Sequence, residues 1–176
     1  MSQRIYNVLF LCTGNSARSI LAEAVLNHVG QGRFKGFSAG SHPAGKVNKY
    51  AVELLKRQGL SVAELRSKNW DEFVAPGAPQ IDFVFTVCDN AAGETCPVWL
   101  GKPMTAHWGI EDPAAVAGSD DDKRRAFAKA FAEMSRRIAL FVNLPLAKLD
   151  AMAIKHALDR IGELRGELYE NPSVQP

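Results

Sequence analysis

Along this chain, short unbroken apolar runs take turns with stretches in which hydrophobic residues return every three or four positions. Residues 6–11 read as a buried strand, and 17–29 as a helix with Ile20, Leu21, Ala24, Val25 and His28 on one side and Gly30 as its stop. A second strand is expected near 34–39. Asn48 is placed to cap a helix that carries Val52, Leu54 and Leu55 and ends at Gly59, and a short turn follows over 69–73. Residues 81–87 are nearly all apolar, the mark of a strand buried on both faces, and a fourth strand falls near 104–108. Ser119 ahead of Asp120, Asp121 and Asp122 opens a long helix as a helix dipole favours, with Phe127, Phe131, Met134, Ile138 and Phe141 as its core stripe. Pro145 breaks that pattern, and a last helix over 146–161 carries Leu149, Ala153, Leu158 and Ile161 before Gly162. Residues 163–176 read as a loose tail.

Strand and helix in alternation predict an α/β fold of three layers: a central four-stranded parallel sheet flanked by helices, plus an extra C-terminal helix. Residues 1–145 are the expected catalytic domain, and 146–176 a helical extension and tail that completes the fold or builds a homo-oligomer. With 176 residues, 47% of them hydrophobic, the chain has a core of its own and no room for a second full domain. Its net charge of +2 comes from scattered basic residues, so neither nucleic acid nor a membrane surface is the expected partner. The N-terminus has no long apolar segment, and no stretch approaches the ~18 apolar residues of a membrane span, so a cytoplasmic protein is expected. Three cysteines cannot form a paired framework and in a reducing compartment read as free or catalytic.

The most informative stretch is Cys12-Thr13-Gly14-Asn15-Ser16-Ala17-Arg18-Ser19, directly after the first strand. A strand that breaks into a tight loop and opens a helix aims backbone N–H groups and the positive end of the helix at one point, a cradle for a tetrahedral oxyanion. Residues 13–19 are the expected oxyanion-binding set. Beside those donors and a guanidinium, Cys12 is expected to have its pKa lowered from ~8.5 into roughly 3.5–7.5, which makes it a nucleophile at neutral pH. Arg18 supplies a planar fork for two oxygens at once. Gly14 is expected to let the loop close around the anion, and the Ser19 hydroxyl to donate to the sulfur or the ligand.

This segment resembles the phosphate-binding loop of the low-molecular-weight protein tyrosine phosphatases and of the arsenate reductases that share their fold. The resemblance extends to Ser38-Ala39-Gly40, to Val84-Phe85-Thr86-Val87-Cys88 and to His107-Trp108-Gly109-Ile110-Glu111-Asp112-Pro113, and covers roughly residues 5–143. Simple phosphatases of this kind work without a second and third cysteine, so Cys88 and Cys96 bring the chain closer to the thioredoxin-coupled arsenate reductases. The seven residues between them are small and polar, a segment able to move, and Cys88 at the carboxyl end of its strand shares a sheet edge with Cys12.

The resemblance implies reduction of arsenate to arsenite, a detoxification reaction. Cys12 attacks arsenic held by Arg18 and the loop, Asp112 protonates the departing oxygen, and a disulfide passes from Cys12–Cys88 to Cys88–Cys96. Thioredoxin or glutaredoxin then reduces it. Phosphate and sulfate are the expected analogues of the substrate, and neither an organic cofactor nor a catalytic metal is needed. A zinc set of Cys12, Cys88, Cys96 and His107 lacks compact ligand spacing. The alternatives are a tyrosine phosphatase using Cys12, Arg18 and Asp112, and a non-enzymatic arsenic-binding or redox-sensing protein. Three positions depart from the pattern: Ala17 stands where many such reductases have a cysteine, the Cys88–Cys96 segment is one residue longer than in the best-known members, and Lys68 falls where an acidic residue would be expected. Some relatives hold a potassium ion in a pocket matched here by Asn15, Glu23 and Ser38, and a Lys68 ammonium would replace that ion.

Overall fold

The computed structural model describes residues 4–94, 97, 99 and 101–164. Four parallel strands, β1 (Tyr6–Leu11), β2 (Phe34–Ala39), β3 (Phe83–Thr86) and β4 (Met104–His107), form one sheet in the order β2-β1-β3-β4. Leu9 lies opposite Phe37 on one side and Val84 on the other. Period-two alternation splits the central strand between two cores. Val8 and Phe10 join the larger one, with residues from the helices α1 (Arg18–Val29), α2 (Lys49–Arg57), α4 (Asp120–Val142) and α5 (Ala151–Glu163). Leu9 and Leu11 face a smaller one with Ala39, Phe73, Ile81 and Val84, over which Trp70 and Trp99 pack.

Several elements differ from expectation in instructive ways. Helix α1 has no single apolar side: every residue from Ser19 to Leu26 is buried, while His28 is exposed. It is packed on by β2, α2 and α4, so polar Ser19 and Glu23 are enclosed too. In α4, Phe131 is half-buried, and Arg137 shares the core stripe. The last helix begins at 151, not 146. Residues Leu146–Lys148 form a separate 3₁₀ turn, and Asp150 starts α5 by accepting the Ala153 N–H at 2.8 Å. The segment after Cys88, expected as a loose loop, begins with the short helix α3 (Asp89–Gly93). Cys88 is its N-cap, its sulfur taking the Ala91 N–H at 3.4 Å. Cys96 and the tail from 165 onward lie outside the described residues.

The strand order places the site. In an open parallel sheet, ligands bind where neighbouring strands send their connections in opposite directions, at the carboxyl ends. Here β1 leads to β2 on one side while β3 lies on the other, so the residues leaving β1 and β3, Cys12 and Cys88, meet at that point. Helix α5 packs on β4 at the sheet's edge. The Trp108 indole N–H donates to the Leu158 carbonyl at 3.0 Å, and Arg137 donates to the carbonyls of Trp108, Gly109 and Leu164.

Candidate active site

Residues 12–17 leave β1 and wind into α1 with their carbonyls already engaged from outside. The Thr13 carbonyl accepts from the His42 N–H at 3.0 Å, Gly14 from Ala44 at 2.9 Å, and Ser16 from Asn48 at 2.9 Å. Because a peptide unit is planar and trans, turning these carbonyls outward turns the next N–H groups inward. The result is a concavity of donors at the start of α1, where Ala17 provides no side-chain cap to compete with an anion.

The close turn rests on residues other than the expected one. Gly14 has no left-handed φ, and a side chain there would meet nothing nearer than the Ser16 hydroxyl, at 3.8 Å. The left-handed residue is Asn15, at φ 43°, fully buried. Its side chain fastens it both ways: Oδ1 accepts the Lys68 backbone N–H at 2.9 Å, and Nδ2 donates to Ser19 Oγ at 2.8 Å. Ser19 therefore holds the loop through Asn15. The glycine that the packing requires is Gly40, at the end of β2, where a Cβ would run into the carbonyl oxygens of Cys12 and Thr13.

Arg18 reaches across the site from the first turn of α1. One Nη donates to the Ile110 carbonyl at 3.0 Å, and the other lies 3.6 Å from an oxygen of Asp112. Its Nε is buried with no hydrogen-bond partner among the described residues, which leaves an edge of the guanidinium for an oxyanion. Asp112 does two things: one oxygen accepts the Ala114 N–H at 3.0 Å and starts a 3₁₀ turn, while the other faces Arg18 from a partly exposed position.

The two described sulfurs are buried and hydrogen-bonded to each other. Their electrostatics reverse the expectation for Cys12. The bond to Cys88 and, next, burial push the Cys12 thiol up; the pull of Arg18 and the Gly14 N–H opposes them without winning. Cys88 is the depressed member, at about 5, because it accepts from Cys12 and also from the N–H groups of Thr13 and Ala91, against the penalty of burial. The two thiols therefore titrate as a coupled pair, with Cys12 raised and Cys88 lowered.

Contacts around Cys88 include residues that the sequence reading passed over. Thr13 Oγ1 donates to Glu94 at 2.6 Å, joining the anion loop to the end of α3. Asp89, in the first turn of α3, lies 2.9 Å from His107 Nε2, and the other ring nitrogen of His107 lies 2.8 Å from Thr86 Oγ1. Behind the loop, Lys68 is buried with its ammonium among the Arg66 carbonyl at 2.9 Å, Ser38 Oγ at 3.4 Å and Glu23 at 3.6 Å. Ser38 also donates to Glu23 at 3.1 Å. A potassium ion does not fit among these groups, since the ammonium already holds its position.

Residues 7–152 match the low molecular weight phosphotyrosine protein phosphatase family. The chain belongs to that family. Within it, an arsenate reductase of Halalkalibacterium halodurans is 35% identical over 134 residues, which span 76% of this chain and 93% of the relative. Among solved structures, the thioredoxin-dependent arsenate reductase of Corynebacterium glutamicum superposes with a TM-score of 0.58 at 27% identity, over 79% of this chain and 61% of that one. A low molecular weight protein tyrosine phosphatase from T. tengcongensis also gives 0.58, at 26% identity over 76% and 95%. The fold is thus shared with solved proteins of both descriptions. Among the described residues, no helix is long and apolar enough to cross a membrane.

Proposed function

We propose that this family member is an arsenate reductase that works through a three-thiol relay in the cytoplasm. The observation that carries the reading is the second sulfur: Cys88 Sγ accepts the Thr13 N–H at 3.4 Å, inside the anion loop and close enough to Cys12 for each thiol to shift the other's ionisation. Hydrolysis of a phosphoester needs no thiol there. Reduction of arsenate does, because two electrons must reach arsenic through sulfur.

The sequence of steps follows from the geometry. An arsenate dianion docked on the loop amides and Arg18 takes the Cys12 proton, and the thiolate attacks arsenic. An As–O bond breaks, and its oxygen leaves as water with a proton from Asp112. Cys88, already ionised at neutral pH, attacks the Cys12 sulfur. An S–S bond forms as the S–As bond breaks, and its electron pair stays on arsenic, which departs as arsenite. Cys96 then attacks Cys88, freeing Cys12 and leaving a Cys88–Cys96 disulfide for thioredoxin or glutaredoxin to reduce. This last exchange requires the segment after Cys88 to fold back, which unwinds α3. We read residues 1–145 as the unit that carries this chemistry. Residues 146–176 are then an extension whose helix braces it, a role supported by the bonds from Trp108 and Arg137.

The test is arsenate-dependent NADPH consumption with thioredoxin and its reductase, repeated with glutaredoxin and glutathione. Turnover with one system is expected, and turnover with neither removes the assignment. Cys96→Ser should stop after about one turnover, with Cys12 and Cys88 bridged. A phosphatase reading is favoured by the position of Asp112 against Arg18. It predicts that Cys88→Ser keeps full turnover on an aryl phosphate and that arsenate only inhibits.

A further inference from the structure

The buried Lys68–Glu23 pair takes no part in these steps, yet it stands directly behind the anion loop. Both residues are almost fully enclosed, at 8% and 6% exposure. Burial acts first on each, pushing the Glu23 carboxyl up and the Lys68 ammonium down, and their mutual attraction opposes both shifts. A buried pair of this kind is weak evidence for added stability, because desolvation offsets most of the attraction. Its connections indicate what else it does.

From its backbone, Lys68 donates to Asn15 Oδ1 and accepts the Gly40 N–H at 2.9 Å. It therefore grips both the left-handed residue of the loop and the glycine against which the loop carbonyls press. From its side chain, the ammonium gathers a carboxylate, a hydroxyl and a carbonyl oxygen that belong to α1, β2 and the segment before Asn69. Three oxygen donors with a carboxylate among them are the ligand set of a hard monovalent or divalent cation. Here the cation is covalently attached. A cleft of about 450 Å³, lined by Glu23, Arg66, Lys68, Glu72 and Phe73 among others, opens onto the same groups from solvent.

We infer that Lys68 is a positioning residue, a tethered ammonium that keeps the loop in its anion-binding shape without a dissociable cation. Removal of its side chain would then uncover an alkali-cation site formed by Glu23, Ser38 and the Arg66 carbonyl. The inference concerns the same loop as the arsenate reading, and phosphate binding tests it independently of turnover.

The experiment uses the full chain and measures inorganic phosphate affinity by calorimetry in potassium chloride and in choline chloride at equal ionic strength. For the wild type the two dissociation constants should agree within about twofold. For Lys68→Ala, affinity in choline should fall about tenfold, and potassium should restore most of it. The double variant Glu23→Gln/Lys68→Ala should show no restoration, and Lys68→Met, which fills the space without charge, should be weakened equally in both salts. A wild type that needs potassium overturns the inference, as does a Lys68→Ala protein that binds phosphate normally in choline or stays unfolded in both salts. Failure of arsenate turnover with these phosphate results intact would strike the reductase reading alone.

Discussion

On one side of the anion loop, Asn15, Ser19, Glu23, Ser38 and Lys68 are buried and joined by a continuous run of hydrogen bonds. On the other stands α3, five residues long, held by the Thr13 contacts to Cys88 and Glu94 and by the exposed Asp89–His107 pair. The first wall has to present donors to an oxyanion in one geometry, and rigidity there means little reorganisation when the anion arrives. In the proposed relay the second carries the sulfur that leaves its place to pass the disulfide on, and a short helix with few anchors opens at small cost. Under that reading, binding and electron transfer fall to walls with many and with few anchors.

The largest effects should come from the anion loop and the wall that holds it. Arg18→Lys removes the fork, and kcat/KM for arsenate should fall about 10²–10³-fold; a loss under threefold in the coupled assay would mean that the loop amides alone bind the anion. Next, Gly40→Ala drives a Cβ into the Cys12 and Thr13 carbonyls and should cost about 1–3 kcal/mol in denaturant unfolding. An unchanged midpoint would show that this wall is looser than its hydrogen bonds suggest.

The third prediction tests the coupled thiols. Cys88 is the largest influence raising Cys12, so Cys88→Ser should make Cys12 ionise more readily and speed its alkylation by iodoacetamide at pH 7 about tenfold. No acceleration would contradict that coupling. The same pair shapes stability against pH. With Cys88 at about 5 against an ordinary 9.0, the folded state binds fewer protons than the unfolded between those values. The Cys88 contribution is therefore complete above pH 9 and lost as pH falls through 5. Cys12, raised, works the other way above pH 9. Thermal melting should accordingly show the stability advantage of wild type over Cys88→Ser growing from pH 5 towards 9, and a flat difference would contradict the assignment.

The smallest effect belongs to the α3 side. Glu94→Gln keeps an acceptor for Thr13 but removes the charge, and should cost about 0.5–1.5 kcal/mol or less while raising amide hydrogen exchange in α3. A larger loss of stability would erase the contrast between the two sides.

Much of this was legible in the residues. The Cys12–Ser19 pattern after an apolar run pointed to an anion loop because strand, turn and helix N-terminus are local events. Lys68 was picked out as a cation in an unusual place, and its ammonium lies beside Glu23 and Ser38. Other details were not legible. Gly14 drew attention as the loop's glycine, yet Asn15 takes the left-handed turn because Lys68 and Ser19, 53 and 4 residues away, hold its amide. Arg137 was not part of the stripe read for α4, and its place there depends on the carbonyls of 108, 109 and 164, which accept its hydrogen bonds. Nothing in the neighbours of Cys88 said that it would be the more acidic thiol.

What the sequence alone determined is the order of the main elements, the strand-loop-helix passage through Cys12–Ser19 and the three candidate sulfurs, since periodicity, caps and turn residues act over a few positions. Only the tertiary structure decided which sulfur is the more acidic and which residue bears the left-handed turn. Each depends on groups brought together from distant strands into a buried space, where low polarity makes a single hydrogen bond or charge decisive.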